Sequence, residues 1–345
     1  MLHKINFKNK KLFDNWEICD IIYSIRGKIM QTIVKLLKKA KNVAIFSHKG
    51  PDPDAIGSAL AFRHALLKMG KNVALFCDDE IVGNFGFLEG FEDYNKSELS
   101  GFDLYISVDV ASGELLGKYV DVFSKEQNTI KIDHHGAGTN FAKHNIVKTY
   151  SACAILIFEL LKALKVKITD KIATCLYFGI CGDTGIFKNN NTDSKTFAVC
   201  AELFDAGADF KTIYSEFFEK RTLSNLYLTS NAIMSAYVSD DGLFSVMTVS
   251  TDDYDKFGAN ENEHIGNLPH SFLNCGHKIS AILKQKSDGI HCSFRSKFEY
   301  DVSKIAEKFG GGGHKNAAGC SIIDSLANAE KMVINEIKNY LKENA

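Results

Sequence analysis

The chain has 345 residues, of which 45% are hydrophobic and 24% charged; 41 basic and 42 acidic side chains leave a formal net charge of −1. Such proportions exclude a disordered or fibrous chain and provide enough apolar mass for two domains with cores of their own. Near-cancelled charge also excludes the global positive field expected of a binder of long nucleic acid, so any anion site must be local.

The nine cysteines (Cys19, Cys77, Cys153, Cys175, Cys181, Cys200, Cys275, Cys292 and Cys320) are odd in number, form no C-x-x-C pair and lie mostly in apolar stretches. That pattern fits structural thiols in a reducing compartment and fits neither a disulfide framework nor a zinc site. The opening "MLHKINFKNKKLFDNWEICDIIYSIRGKI" is rich in Lys and Asn and holds no apolar run long enough for a signal peptide or membrane span. The expected location is cytoplasmic. Residues 1–29 read either as an extension packed on the first domain or as sequence upstream of a start at Met30, where regular periodicity begins.

From Met30, "MQTIVKLLKKA" has helical spacing, "NVAIFS" reads as a buried strand, and "AIGSALAFRHALLKMG" as a helix closed by Gly70. "NVALFC", "DLYISVDV" and "NTIKIDHH" follow as strands, with helix-like "ELLGKYVDVFSK" before the last. This alternation predicts an α/β domain with a doubly wound, mostly parallel sheet, in which ligands gather at the carboxyl ends of the strands. The stretch 151–230 is mostly helical. Beyond it, "LFSVMTVS", "HKISAILKQKS" and "GIHCSFRSK", with a hairpin turn at Ser287, Asp288 and Gly289, lead through a helix, a glycine run and a short strand to a final helix. A second, smaller α/β domain is expected there, giving an extension over 1–29, a first domain over 30–220, a helical linker over 221–241 and a second domain over 242–345.

Ionisable residues collect at the predicted strand ends. His48, Asp52 and Asp54 follow the first strand, Asp109 the third, and Asp133, His134 and His135 the fourth; Asp183 lies in "GDTG". Carboxylate and imidazole without thiolate suit Mn²⁺, Mg²⁺ or a similar divalent ion. Four negative charges from Asp52, Asp54, Asp109 and Asp183 match two such cations, and a paired-metal site clamps both attacking and leaving oxygens at phosphorus. Each cluster taken singly has a plainer reading: Asp54 is placed to cap the following helix, and Asp109 or Asp133 to cap loops. Their joint occurrence at the ends of one sheet favours the metal site. In the later half, "KFGGGGHKNAAG" allows backbone N–H groups to approach an anion, with His314 as an added donor, and Arg295 completes a phosphate fork.

In their order, "HKGPDPDAIGS", "SVDVAS", "IDHH", "GICGDTGIF" and "FRSKFEYDVSKIAEKFGGGGHKNAAG" resemble the DHH phosphoesterase superfamily, in the subgroup carrying the DHH-associated C-terminal domain; the match runs from about Met30 to the C-terminus. The resemblance implies a metal-binding catalytic domain over 30–220, a substrate-binding domain over 242–345 and an active site in the cleft between them. It implies two Mn²⁺ ions, with Mg²⁺ or Co²⁺ as substitutes: His48 and Asp52 on one, Asp54, His134 and Asp183 on the other, Asp109 bridging. Asp133 is implied to orient His134, and His135 to assist at the scissile phosphate. Arg295, Gly312, Gly313 and His314 are implied to bind the substrate's other phosphate and nucleotide end. Relatives usually carry a Ser/Thr-rich stretch where this chain has "SACA", Ser151 to Ala154, which bears on substrate preference.

The implied activity is removal of nucleoside monophosphates from short single-stranded oligoribonucleotides, together with dephosphorylation of 3′-phosphoadenosine 5′-phosphate. The nearest alternative is a cyclic or linear dinucleotide phosphodiesterase, whose membrane forms carry transmembrane and sensory segments not seen in this sequence. A nucleotide-sensing module that binds without cleaving is disfavoured, because every metal ligand is retained. Neither a membrane nor long duplex nucleic acid is an expected partner, and homodimer formation is left open.

Overall fold

A computed structural model describes residues 29–79, 81, 85–261, 263, 265 and 268–344. The N-terminal stretch and Cys19 lie outside these residues. The chain divides between Lys220 and Arg221 into two compact units.

The first unit is built on strands β1 (Asn42–Phe46), β2 (Asn72–Phe76), β3 (Leu104–Val108), β4 (Thr129–Asp133) and β5 (His144–Val147). They pair in parallel in the order β2-β1-β3-β4-β5. β3 and β4 are buried along their whole length, as expected of central strands covered on both faces. The fifth strand is absent from the sequence-level expectation, because "HNIV" is too short and too polar at its start to stand out.

Helices cover both faces. On one side lie α1 (29–39), α2 (Pro53–Lys68), α4 (Cys153–Leu164), α5 (Asp170–Asp183) and α6 (Ser194–Asp205), where Ile33, Leu37, Leu60, Leu156 and Phe178 pack into one core. On the other side, Leu116 and Phe123, the latter from α3 (Val120–Lys125), close over Phe46, Phe76 and Tyr105. The first unit ends with α7 (Phe210–Ile213) and a π-helical turn, Tyr214–Glu219.

α2 and α5 cross at close range because glycines face each other. A Cβ on Gly57 would fall 2.4 Å from the Cys175 carbonyl oxygen, and one on Gly179 would fall 2.7 Å from Asp54 Oδ1. The glycines in "AIGS" and "FGIC" thus bring the start of α2 beside the end of α5. That crossing positions Asp54 relative to Asp183.

The second unit holds a six-stranded sheet of β6 (Tyr237–Val238), β7 (Phe244–Val249), β8 (Ile279–Lys286), β9 (Gly289–Ser296), β10 (Gly312–His314) and β11 (Ala317–Ile322), ordered β10-β11-β9-β8-β7-β6. Only β7 and β8 pair in parallel. Helices α8 (Leu223–Met234), α9 (Thr251–Phe257) and α10 (Leu268–Asn274) are joined to one face through Leu228, Ala232, Met247, Val249 and Ile282. α11 (Ser303–Glu307) and α12 (Leu326–Glu343) cover the other. Residues 221–241, expected as a helical linker, therefore contribute α8 to the second core. Lys286 pairs with Gly289, so Ser287 and Asp288 form a two-residue hairpin loop.

Candidate metal centre

The parallel register aligns Phe46 with Ser107 and Val108 with Ile132, so the residues that follow β1, β3 and β4 emerge along one edge of the sheet. His48 leaves β1 there. Its Nδ1 lies 2.7 Å from the Lys49 carbonyl oxygen and donates to it, which leaves Nε2 on the side of Asp52 Oδ1, 3.9 Å away.

The turn into α2 assigns Asp52 and Asp54 different tasks. Asp52 Oδ1 accepts the N–H groups of Asp54 at 3.0 Å and Ala55 at 2.9 Å, so Asp52 is the N-cap and Pro53 occupies the first helical position. The sequence expectation that Asp54 caps this helix is corrected: one residue further into the turn, its carboxylate points inward and is fully buried. There Oδ1 accepts from Ser58 Oγ and the Ala154 N–H, each at 3.0 Å, and Oδ2 accepts from the Cys153 N–H.

Asp109 follows β3 with a left-handed backbone, φ 60°, a conformation Asp tolerates better than most residues. Its side chain is 1% exposed, and neither carboxylate oxygen has a hydrogen-bond partner. Two buried acceptors without a donor are costly to keep, roughly 1–3 kcal/mol each.

His134 Nδ1 donates to the Tyr150 carbonyl oxygen at 3.0 Å. Its Nε2, buried and without a hydrogen-bond partner, lies 3.1 Å from Asp183 Oδ2, 3.4 Å from Asp109 Oδ1 and 3.9 Å from Asp54 Oδ2. Asp183 closes α5, where the negative end of the helix dipole disfavours a carboxylate without a cation. Its backbone oxygen accepts from Asn189 and Asn191 side chains at 2.9 and 3.2 Å.

Asp133 does not orient His134, contrary to the implied role. Its Oδ1 lies 2.7 Å from His135 Nδ1, and its Oδ2 lies 3.0 Å from the Lys131 ammonium. The two imidazoles lie side by side, ring centroids 4.4 Å apart, yet only the His135 Nδ1 reaches Asp133, while the His134 Nδ1 is taken by the Tyr150 carbonyl. Burial would raise Asp133, but His135 and Lys131 override it and hold its carboxyl below the usual range. An ionised carboxylate only accepts, so His135 Nδ1 carries the proton and Nε2 is left outward on a side chain 45% exposed. Lys131 went unnoticed in the sequence, where it reads as an ordinary strand lysine.

Among the described residues, three groups bring ligand atoms within 4.8 Å of one another: His48, Asp52 and Asp109; Asp54, His134 and Asp183; and Asp109, His134 and His135. The electrostatics show what they lack. Burial, then the charge of Asp183, pushes Asp54 up to about 7. Burial, followed by Asp54, Asp52 and Asp183, raises Asp109 well above the carboxylate range. Burial opposes the charged form of His134, yet Asp183, Asp54 and the Tyr150 carbonyl outweigh it and raise the imidazole to about 9. Unpartnered oxygens, an unpartnered imidazole nitrogen and proton-seeking carboxylates together fit divalent cations, and oxygen and nitrogen donors without sulfur suit Mn²⁺ or Mg²⁺.

Arg295, Gly312, Gly313 and His314 belong to the sheet of the second unit. Register places His314, Ala317 and Arg295 in one row, so Arg295 and His314 project from the same face with the Ala317 methyl between them. Arg295 Nη1 donates to the Phe294 carbonyl oxygen at 2.8 Å. Half of the glycine run, expected as an anion cradle, is strand: Gly310 and Gly311 precede β10, and Gly312 and Gly313 open it. Gly312 and Gly313 pair with Gly319 and Ala318, and a Cβ on Gly313, at φ 144°, would fall 2.7 Å from the Ala317 carbonyl oxygen. Close strand packing therefore requires glycine at 313. Gly312 is exposed and has no atom within 4 Å of where its Cβ would stand.

A doubly wound parallel sheet that gathers imidazoles and carboxylates, without thiolates, at its strand ends defines an α/β metal-site protein. The chain carries a DHH domain and a DHHA1 domain: residues 42–180 match the model of the DHH family, N-terminal domain, and residues 258–343 match the DHHA1 domain. It is 29% identical over 300 residues to the bifunctional oligoribonuclease and PAP phosphatase NrnA of Thermus thermophilus, covering 85% of this chain and 88% of that one. Identity to the cyclic-di-AMP phosphodiesterase GdpP of Bacillus subtilis is 26%, over 88% of this chain and 49% of that protein. The fold is shared with an exopolyphosphatase-related protein from Bacteroides fragilis, 23% identical, with a TM-score of 0.86 over 92% of this chain and 98% of the other.

Proposed function

We propose that the protein is a Mn²⁺-dependent phosphohydrolase that releases nucleoside monophosphates from short single-stranded oligoribonucleotides and dephosphorylates 3′-phosphoadenosine 5′-phosphate. The carrying observation is Asp109, whose two oxygens are buried and unpartnered and which shares one ligand group with His48 and Asp52 and another with His134 and His135. His48 and Asp52 would hold one ion, Asp54, His134 and Asp183 the other, and Asp109 both. A bound pair of such ions supplies hydroxide from water and neutralises charge at phosphorus during in-line displacement.

The chain's own side chains do the rest. The carbonyls of Lys49 and Tyr150 fix His48 and His134 as Nδ1–H tautomers, so that Nε2 is the nitrogen offered to the pocket. Asp133 fixes His135 in the same way, and the outward Nε2 of His135 meets the scissile phosphate. Arg295, Gly312, Gly313 and His314 bind another phosphate and the nucleotide end. The named activities of the Thermus relative support the substrate class.

Cleavage of cyclic or linear dinucleotides is the second reading, supported by the identity to GdpP. All eight described cysteines are free and no helix among the described residues is long and apolar enough to cross a membrane, in keeping with a cytoplasmic enzyme. Purified protein with Mn²⁺ and a panel of di- and pentaribonucleotides, 3′-phosphoadenosine 5′-phosphate and cyclic dinucleotides should hydrolyse the short RNAs fastest by chromatography. A higher initial rate on cyclic dinucleotides would transfer the assignment to the second reading.

A further inference from the structure

Lys131 stands outside the groups assigned above, and its side chain is 1% exposed. A buried ammonium has three protons to place and is costly unless each finds an acceptor. Here the carbonyl oxygens of Ala111 and Thr139 accept at 2.7 and 2.9 Å, and the charge is paired with Asp133 Oδ2, 3.0 Å away, an ion pair without a hydrogen bond. The ring of Phe141 lies beside it, with its centroid 5.3 Å from Nζ.

The two carbonyls belong to the loops that follow Asp109 and His135. Those loops are joined to each other as well: the Thr139 N–H donates to the same Ala111 oxygen at 2.9 Å. Gly138 permits the closure, since a Cβ there would fall 2.3 Å from that oxygen and 3.0 Å from Lys131 Nζ. The ion-pair partner is shared with the site, because the other oxygen of Asp133 receives His135 Nδ1 at 2.7 Å. One carboxylate oxygen is thus neutralised from behind while the other faces the imidazole.

We propose that Lys131 is a positioning residue. Anchored by the two loop carbonyls, its ammonium neutralises Asp133 and through that carboxylate holds the His135 ring with Nε2 outward. The inference rests on the reading of His135 as a group at the scissile phosphate. A purely structural lysine would support the fold without setting the state of His135.

Lys131→Met, Asp133→Asn and the double variant separate the two roles. With Mn²⁺ and a diribonucleotide, Lys131→Met should lower kcat about 10- to 100-fold, the usual cost of removing a group that orients a site residue, with KM within about twofold. The double variant should fall no lower than Asp133→Asn, because both changes act through one carboxylate. Long-range proton–nitrogen spectra of the metal-free protein at one fixed pH should show a single Nδ1–H tautomer for His135 in the wild type and mixed tautomers in Lys131→Met. Wild-type kcat with an unchanged His135 spectrum in Lys131→Met, or a double variant tenfold below Asp133→Asn, overturns the proposal. Should Lys131→Met fail to fold, Lys131→Gln, which still donates to the carbonyls without charge, and the double variant decide by the same criteria. Inactivity of the wild type on every substrate would sink the functional reading alone, and the His135 spectrum would then decide the role of Lys131.

Discussion

The Asp54 carboxylate accepts the N–H of Ala154 at 3.0 Å across 100 residues of sequence, at the head of α4. That helix has Ala152 as its N-cap residue, with no side-chain cap of its own. Asp54 supplies what "SACA" lacks, and the Ser151 hydroxyl instead lies 2.7 Å from Thr196 Oγ1 in the interior. A carboxylate proposed as a metal ligand is therefore also a helix cap, and two substitutions separate these tasks. In metal-free protein at pH 8, Asp54→Asn removes a buried charge but keeps only one of the two acceptors of the α4 N–H groups, so its Tm should lie close to that of the wild type. Mn²⁺ should no longer raise it. Asp54→Ala should lie about 1–2 kcal/mol below Asp54→Asn in urea unfolding, the usual value of a cap.

Stability of the metal-free protein should fall as pH rises. Asp54 titrates at 3.8 when unperturbed and near 7 here, and His134 at 6.5 and near 9. In both cases the folded state binds more protons than the unfolded state across the interval, so stability present at the low end is lost towards the folded pKa. The windows adjoin, extending from about pH 4 to about pH 9. Mn²⁺ binding requires these protons to leave, so the Tm increment from Mn²⁺ should grow over the same range. Scanning calorimetry from pH 5 to 9 with and without Mn²⁺ measures both trends, and a metal increment that shrinks with pH would contradict the ligand set.

Asp109→Asn retains a residue that tolerates the left-handed backbone at this position, φ 60°, and should fold. Turnover should drop at least about 1,000-fold, in line with the several kcal/mol that metal ions contribute to such transition states. Asp109→Ala should abolish turnover. Substantial Mn²⁺-dependent activity in either variant would refute a shared ligand between the two groups.

Arg295→Ala and His314→Ala should raise KM for diribonucleotides with kcat nearly unchanged, since their proposed part is binding and not the chemical step. Initial-rate kinetics on the short-RNA panel distinguish this from an equal fall in kcat. Unaltered kinetics would remove these residues from the substrate site.

Gly179→Ala tests the α2–α5 crossing. Its new methyl would press on Asp54 Oδ1, 2.7 Å from the Cβ position, and on the Ala154 methyl, 3.1 Å away. Overpacking of this kind costs about 1–3 kcal/mol. Mn²⁺ affinity should fall together with stability, measured by calorimetric titration and urea unfolding. A destabilised variant with unchanged Mn²⁺ affinity would show that the crossing does not position Asp54.

Strand and helix alternation, the hairpin at Ser287 and Asp288, and the placement of His48, Asp109 and His134 after strands were all legible from the chain, because each depends on local periodicity and on where a parallel strand must end. Other features arise between segments remote in sequence. Asp54 turns inward to cap α4 because Gly57 and Gly179 let α2 and α5 approach, and that leaves the cap of α2 to Asp52. Lys131 reads locally as an ordinary strand lysine, and only the closure of the 111 and 139 loops buries its charge. Motif spacing determined which side chains reach the sheet edge, while long-range packing decided which hydrogen bonds each was left free to make.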